Sequence, residues 1–217
     1  MFVRNELAAQ WTILLLALMF SLASMFWAPL EQALGWLAIV IAAKVALLEV
    51  CRRFPTTPVS AENARHWYRR LLIAEAIGGL AWSGFALVGI GGHGLAAADY
   101  VFSSHVFLFA SLIVVLAIRM TFASTVIEIL LVGTVPMTIA VVARLCMVQE
   151  FFYYALASMA IGVHIYFIFL AKGLQSTARS MLDFRAQKDL LIAELAEAKS
   201  ISDEARRRAE TANKAKS

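Results

Sequence analysis

The chain has 217 residues, 61% of them hydrophobic and 16% charged, with a mean hydropathy of +0.76. So apolar a composition excludes an ordinary soluble domain. A formal charge of +4 gives no sign of a nucleic-acid surface. The expectation is an all-α polytopic membrane protein in two parts: a six-helix transmembrane domain over residues 1–171 and a long cytoplasmic helix over 172–217, where much of the charge collects.

Residues 1–10 carry Arg4 and Glu6 ahead of the first apolar run. That run, residues 11–28, is too long for the core of a signal peptide and ends without a small-x-small cleavage site, so it reads as a retained helix. Five further runs follow at 34–50, 71–90, 101–118, 126–143 and 152–171. A bilayer core takes about 20 helical residues, so six spans are predicted. The fourth and fifth are separated only by 119–125. On one side the loops collect Arg4, Arg52, Arg53, Arg65, Arg69, Arg70 and Arg119; on the other stands Arg144. The positive side is cytoplasmic, which places both termini inside, as an even number of spans also requires.

The outer loops, 29–33, 91–100 and 144–151, are too small to hold a folded ligand-binding domain. A stimulus would have to act within the bilayer, at its surface or through a partner. The largest inner loop holds Pro55 and Pro58, then a short helix over 61–70 ending His66-Trp67-Tyr68-Arg69-Arg70, rings and guanidiniums suited to the headgroup zone. Cys51 and Cys146 fall at opposite faces and cannot pair within one chain.

Polar residues inside spans are the candidates for function, because a charge in hydrocarbon is costly. Lys44, Glu75 and Glu128 are all placed in the inner third of the bilayer, and Lys44 is expected to pair with Glu75 or Glu128. Such a pair would lock helices together; the alternatives are that Lys44 simply snorkels to the interface, or that the group gates or senses. His105 and His164 differ in depth by roughly 12 Å at 1.5 Å per residue, which argues against a shared haem or zinc. His164, in mid-membrane beside Tyr166, is the better single responsive group; the plainer reading is a hydrogen-bonded core histidine. Gly89-Ile90-Gly91-Gly92-His93-Gly94 matches a dinucleotide fingerprint by letters only, since it follows a membrane helix rather than a strand. Gly78, Gly79 and Gly84 permit close helix packing, and Pro136 should bend the fifth span as a static kink or a hinge. Nothing points to a cofactor, a metal site or a catalytic residue.

From Lys172 onward a heptad repeat with Leu174 at position a places Leu174, Thr177, Met181, Phe184, Lys188, Leu191, Leu195, Ala198, Ser202, Ala205, Ala209 and Ala212 at a and d. Nine of those twelve are apolar, which predicts a parallel homodimer through 172–217 whose seam is led by Leu174, Met181, Phe184, Leu191 and Leu195, with Glu194 facing Lys199 of the other chain. The core thins to alanine, so the pairing is weak enough to shift or rotate. The alternative is a single solvated helix. No Gly or Pro closes the helix after Gly173, so the chain is expected to continue beyond Ser217.

Residues 194–217, and above all Ala212-Asn213-Lys214-Ala215-Lys216-Ser217, resemble the connector of bacterial sensor histidine kinases. In that family the connector runs into the dimerisation helix that bears the phosphorylated histidine. The resemblance covers about the last tenth of the chain. It implies a bacterial inner-membrane protein whose output, beyond these residues, autophosphorylates from ATP and passes phosphate to a response regulator. The family's histidine and ATP-binding motifs are absent from these 217 residues, so no catalytic residue is carried over. The same input could instead serve a diguanylate cyclase. A small transporter or channel subunit, its charges lining a polar path, is the reading from a different class.

Overall fold

The computed structural model describes residues 2–54, 61–90, 98–123 and 126–214, and these are helical with no strand among them. The order is α1 (Phe2–Ala8), α2 (Gln10–Ser24), α3 (Leu30–Arg53), α4 (Ala61–Ser83), a 3-10 turn at Gly84–Leu87, α5 (Ala98–Ala123), α6 (Ile127–Cys146) and α7 (Phe151–Lys214). By contacts the chain divides into a unit Met1–Gln175 and a unit Ser176–Ser217.

Among the described residues five helical stretches are long and apolar enough to cross a membrane: Leu30–Arg53, Asn63–Leu87, Ser103–Thr121, Ile127–Cys146 and Phe151–Asp203. Their outward faces carry Ile39, Val45, Ile73, Leu80, Ile139 and Ile165, all exposed. Water would not tolerate so much uncovered apolar surface, and lipid does. Helix α2 is shorter, with 15 residues, or about 22 Å of rise. Turn-type bonds from Met25, Phe26, Trp27 and Ala28 back to Leu22, Ala23 and Ser24 carry the coil on to Pro29, where α3 begins.

Two boundaries differ from expectation. The stretch at 61–70 is not a separate inner helix but the first turns of α4. No Gly or Pro lies between Ala61 and Ile77, so nothing interrupts the ladder. At its far end α4 gives way at Gly84 to a 3-10 turn instead of continuing to residue 90. Gly94 and its neighbours 91–97 lie outside the described residues, whereas Gly89 takes φ +86°, a left-handed conformation that glycine adopts without strain.

Within the first unit α4 pairs most extensively with α6 and next with α3; α2 lies on α3, and α5 on α6. Helix α1 buries Phe2 and Glu6, one turn apart, against α3 and α5. The core has two parts. Towards the start of α3 it is aromatic: Phe85 stacks on Phe20 with centroids 5.6 Å apart, Trp36 lies 4.5 Å from Phe85, and the Trp36 indole N–H donates to the Ala81 carbonyl at 3.0 Å. Gln32 clamps the turn after α4, donating to Ile90 O at 3.2 Å and accepting from Gly89 N at 2.8 Å. Towards the arginine-rich end the core is Phe2, Leu47, Cys51, Leu71, Ala74, Ala123, Ile129, Leu130 and Ala171. Cys51 and Cys146 are both free thiols.

Helix α7 turns Tyr153, Ala157, Ala160, His164 and Ala171 inward in the first unit. Its helical hydrogen-bonding pattern continues through Lys172 and Gly173. Beyond them Met181, Phe184, Leu191 and Leu195 are exposed, as Leu174 is before the division.

Candidate functional site

Glu75 is wholly buried on α4, one turn beyond Leu71. Its Oε2 accepts from the Arg119 guanidinium of α5, which is only 5% exposed. Glycines make the space. A methyl group at Gly133 of α6 would stand 3.0 Å from Glu75 Oε2 and 3.4 Å from Arg119 Nη1, and one at Gly78 would stand 3.4 Å from Arg119 Nη2. Gly79, on the next position of α4, faces the α6 backbone itself: a Cβ there would sit 2.8 Å from the carbonyl oxygens of both Gly133 and Val132. Pro136 lacks the N–H that would bond Val132 O within the helix. The carbonyl left without its helical donor is thus one of those against which Gly79 packs.

A second buried pair lies nearby. Lys44 of α3 donates to Glu6 Oε2 of α1. Both pairs border one core, in which Phe2 of α1, Leu47 of α3, Leu71 and Ala74 of α4 and Ala123 of α5 pack together, so they form one cluster. Two carboxylates and two cations sum to zero, which permits burial. Each carboxylate spends one oxygen on its cation; among the described residues Glu6 Oε1 and Glu75 Oε1 are buried without a hydrogen-bond partner.

The expected pairing of Lys44 with Glu75 or Glu128 is therefore corrected. Lys44 takes Glu6, from the segment read as a polar lead-in. Glu75 takes Arg119, read as a loop charge but carried inside the helix because α5 continues to Ala123. Glu128 joins neither pair: it is exposed in the first turn of α6, where the positive end of the helix dipole favours a carboxylate.

Comparison with protein-family models, curated proteins and solved structures gave no match. The residues must speak for themselves. The cluster offers no nucleophile–base pair. Its possible chemistry is electrostatic: it locks α1, α3, α4 and α5 together, and a proton gained or lost on either carboxylate would unbalance it.

The histidines lie apart from the charge cluster. His164 of α7 is buried and its Nδ1 shares a hydrogen bond with the Thr138 hydroxyl of α6, while Nε2 has no partner among the described residues. Thr138 also leans on the Thr134 carbonyl at 3.3 Å. Both threonines follow the Gly133 crossing along α6, and Pro136 lies between them in the chain. His105 packs edge-on to Tyr153 at 5.2 Å and meets Ser104 Oγ at 3.3 Å. No group of three or more His, Cys, Asp or Glu among the described residues is placed to hold a metal.

Proposed function

We propose that the chain is the membrane input region of a signalling protein, six spans with both ends in the cytosol, whose last span transmits a change of packing to a dimeric output helix. The observation that carries this is α7, a single helix Phe151–Lys214. Its first turns bury Tyr153, Ala160 and Ala171, and later turns expose Leu174, Met181, Leu191 and Leu195 at heptad spacing. Exposed Leu and Phe at 3-4 spacing suit a second copy of the same helix.

Six spans are favoured by the turns that lengthen α2 towards Ala28. The cytoplasmic placement of the termini follows from Arg52, Arg53, Arg65, Arg69 and Arg70 against Arg144. The charge cluster and the Gly79–Gly133 crossing supply the packing that a stimulus would alter, with Pro136 as the bend. An alanine-rich coiled coil whose two states lie a few kcal/mol apart suits transmission. By the resemblance of residues 194–217 the output is a histidine kinase acting on a response regulator, in a bacterial inner membrane.

Two measurements test this. Single cysteines at 172–198 in the intact gene product, oxidised in membranes, should cross-link most at Leu174→Cys, Met181→Cys, Leu191→Cys and Leu195→Cys. A profile without three-to-four-residue periodicity defeats the dimer. Incubation of the intact gene product with labelled ATP should give an acid-labile, base-stable phosphate; its absence defeats the kinase.

The buried cluster favours one other reading, a proton- or cation-coupled transporter, because carboxylate oxygens without a partner among the described residues, set within apolar helices, can take up a proton. Proteoliposomes carrying a pH-sensitive dye separate the two. A transporter loses flux in Glu75→Gln, whereas an input region shows none in either form.

A further inference from the structure

Helices α3 and α4 leave a groove of about 520 Å³ between them at the arginine-rich end of the first unit. Its walls are two facing stripes, Ala46, Glu49, Val50 and Arg53 on α3, and Trp67, Arg70, Ile73, Ala74 and Ile77 on α4. Both stripes step by three or four residues, so each is one helix face. The helices are antiparallel, and the lining grades from polar to apolar in one direction. Arg53, Glu49, Trp67 and Arg70 mark one end; Ala46 and Ile77 mark the other, about 10 Å deeper at 1.5 Å per residue.

We infer that this groove binds one anionic glycerophospholipid, its phosphate between Arg53 and Arg70 and the start of an acyl chain along Val50, Ile73 and Ile77. Three features select that occupant. First, the grading matches an amphiphile lying parallel to the helices, headgroup at the end where α3 stops and α4 starts. A soluble anion would have no use for the apolar walls, and a neutral lipid none for the cations.

Second, each guanidinium has a partner on the groove wall. Arg53 Nε donates to Glu49 Oε1 at 2.7 Å, and Arg70 lies over the Trp67 ring with its carbon 5.3 Å from the centroid. Trp67 is itself buried, edge-on to Phe54 at 5.7 Å. A planar guanidinium set in this way matches phosphate better than a mobile ammonium does. Third, Arg52, Arg65 and Arg69 are exposed on the same end of the same two helices. The groove's polar end therefore lies at the end of the helices that is rich in exposed arginine, which draws anionic lipid from the leaflet. Its volume falls within the roughly 300–1,000 Å³ of small-molecule sites, enough for a headgroup and the first part of a chain.

Native mass spectrometry of the full chain in mild detergent tests the site, with phosphatidylglycerol, phosphatidylcholine and glycerol 3-phosphate as probes. One phosphatidylglycerol should be retained with at least about tenfold preference over phosphatidylcholine, the order expected of two arginines at a membrane surface. Arg53→Gln/Arg70→Gln should abolish the preference, and both positions are exposed enough to leave the fold intact. Ile73→Trp should block both lipids by filling the groove. Arg65→Gln, outside it, should retain the preference, and glycerol 3-phosphate should not compete. The inference is overturned by equal retention of the two lipids, by an unchanged preference in the double variant, by lipid binding that survives Ile73→Trp, by an equal loss in Arg65→Gln, or by displacement with glycerol 3-phosphate.

Discussion

Replacing Glu75 by Gln removes one negative charge from a cluster that otherwise sums to zero, and it leaves Arg119 charged with 5% of its surface in contact with the surroundings. Breaking a buried pair from one side costs about 3–5 kcal/mol, because the surviving ion keeps its desolvation penalty. The Gln amide oxygen can still accept from the Arg119 guanidinium, so the lower end of that range, about 3 kcal/mol, is the expected loss. Arg119→Met should cost a similar amount for the mirror reason, leaving Glu75 uncompensated. The double variant Glu75→Leu/Arg119→Met restores the balance with groups of similar volume and should be more stable than either single variant.

Two readouts apply. Denaturation in micelles followed by circular dichroism gives the stability. Alkylation of Cys51, fully buried beside the cluster, reports local opening. A loss of about 3 kcal/mol raises the open population, and so the rate, by roughly 100-fold. The reasoning fails if either single variant costs less than about 1 kcal/mol, well below the expected range, or if the double variant shows the sum of the two losses.

The glycines should divide by what stands opposite them. Gly79→Ala drives a methyl against two backbone carbonyls at 2.8 Å and should cost about 1–3 kcal/mol, whereas Gly162→Ala, with nothing within 4 Å, should stabilise α7 by roughly 0.5–1 kcal/mol. Equal effects in thermal unfolding would contradict the close crossing. Thr138→Val takes away the hydrogen-bond partner of His164 Nδ1 and should cost about 1–3 kcal/mol, while Thr138→Ser should lose much less. Matched losses in the two variants would mean that packing, not the hydroxyl, is what matters there.

The long apolar helices were legible because hydropathy and length act along the chain. So was the presence of Lys44 and Glu75 as charges set in apolar runs. Their partners were not. Glu6 sits in a seven-residue helix that hydropathy reads as a polar leader; the hint was Phe2, Glu6 and Ala9 recurring on one helical face, with the carboxylate in the apolar row. Arg119 was counted as a loop charge because the run before it ends at Ile118. Only the packing of α4 and α5 on α6 lets the Arg119 side chain reach Glu75, 44 positions away. The link between His164 and Thr138 is of the same kind, a meeting of two helices that no local spacing encodes. Gly79 was legible as a small residue, but its specific opposite, the carbonyl that Pro136 cannot satisfy, required the crossing itself.

The order in which the charges leave the ribosome follows from the first pair. Glu6 is made 38 residues before Lys44, so α3 can be neutralised as soon as it is threaded into the bilayer. Glu75 has no such provision and must wait for α5. Trimming the opening helix, or burying it under a fusion tag, would deprive Lys44 of its counter-ion during biogenesis. The defect would surface as failed insertion and rapid proteolysis rather than as a mature protein of reduced activity.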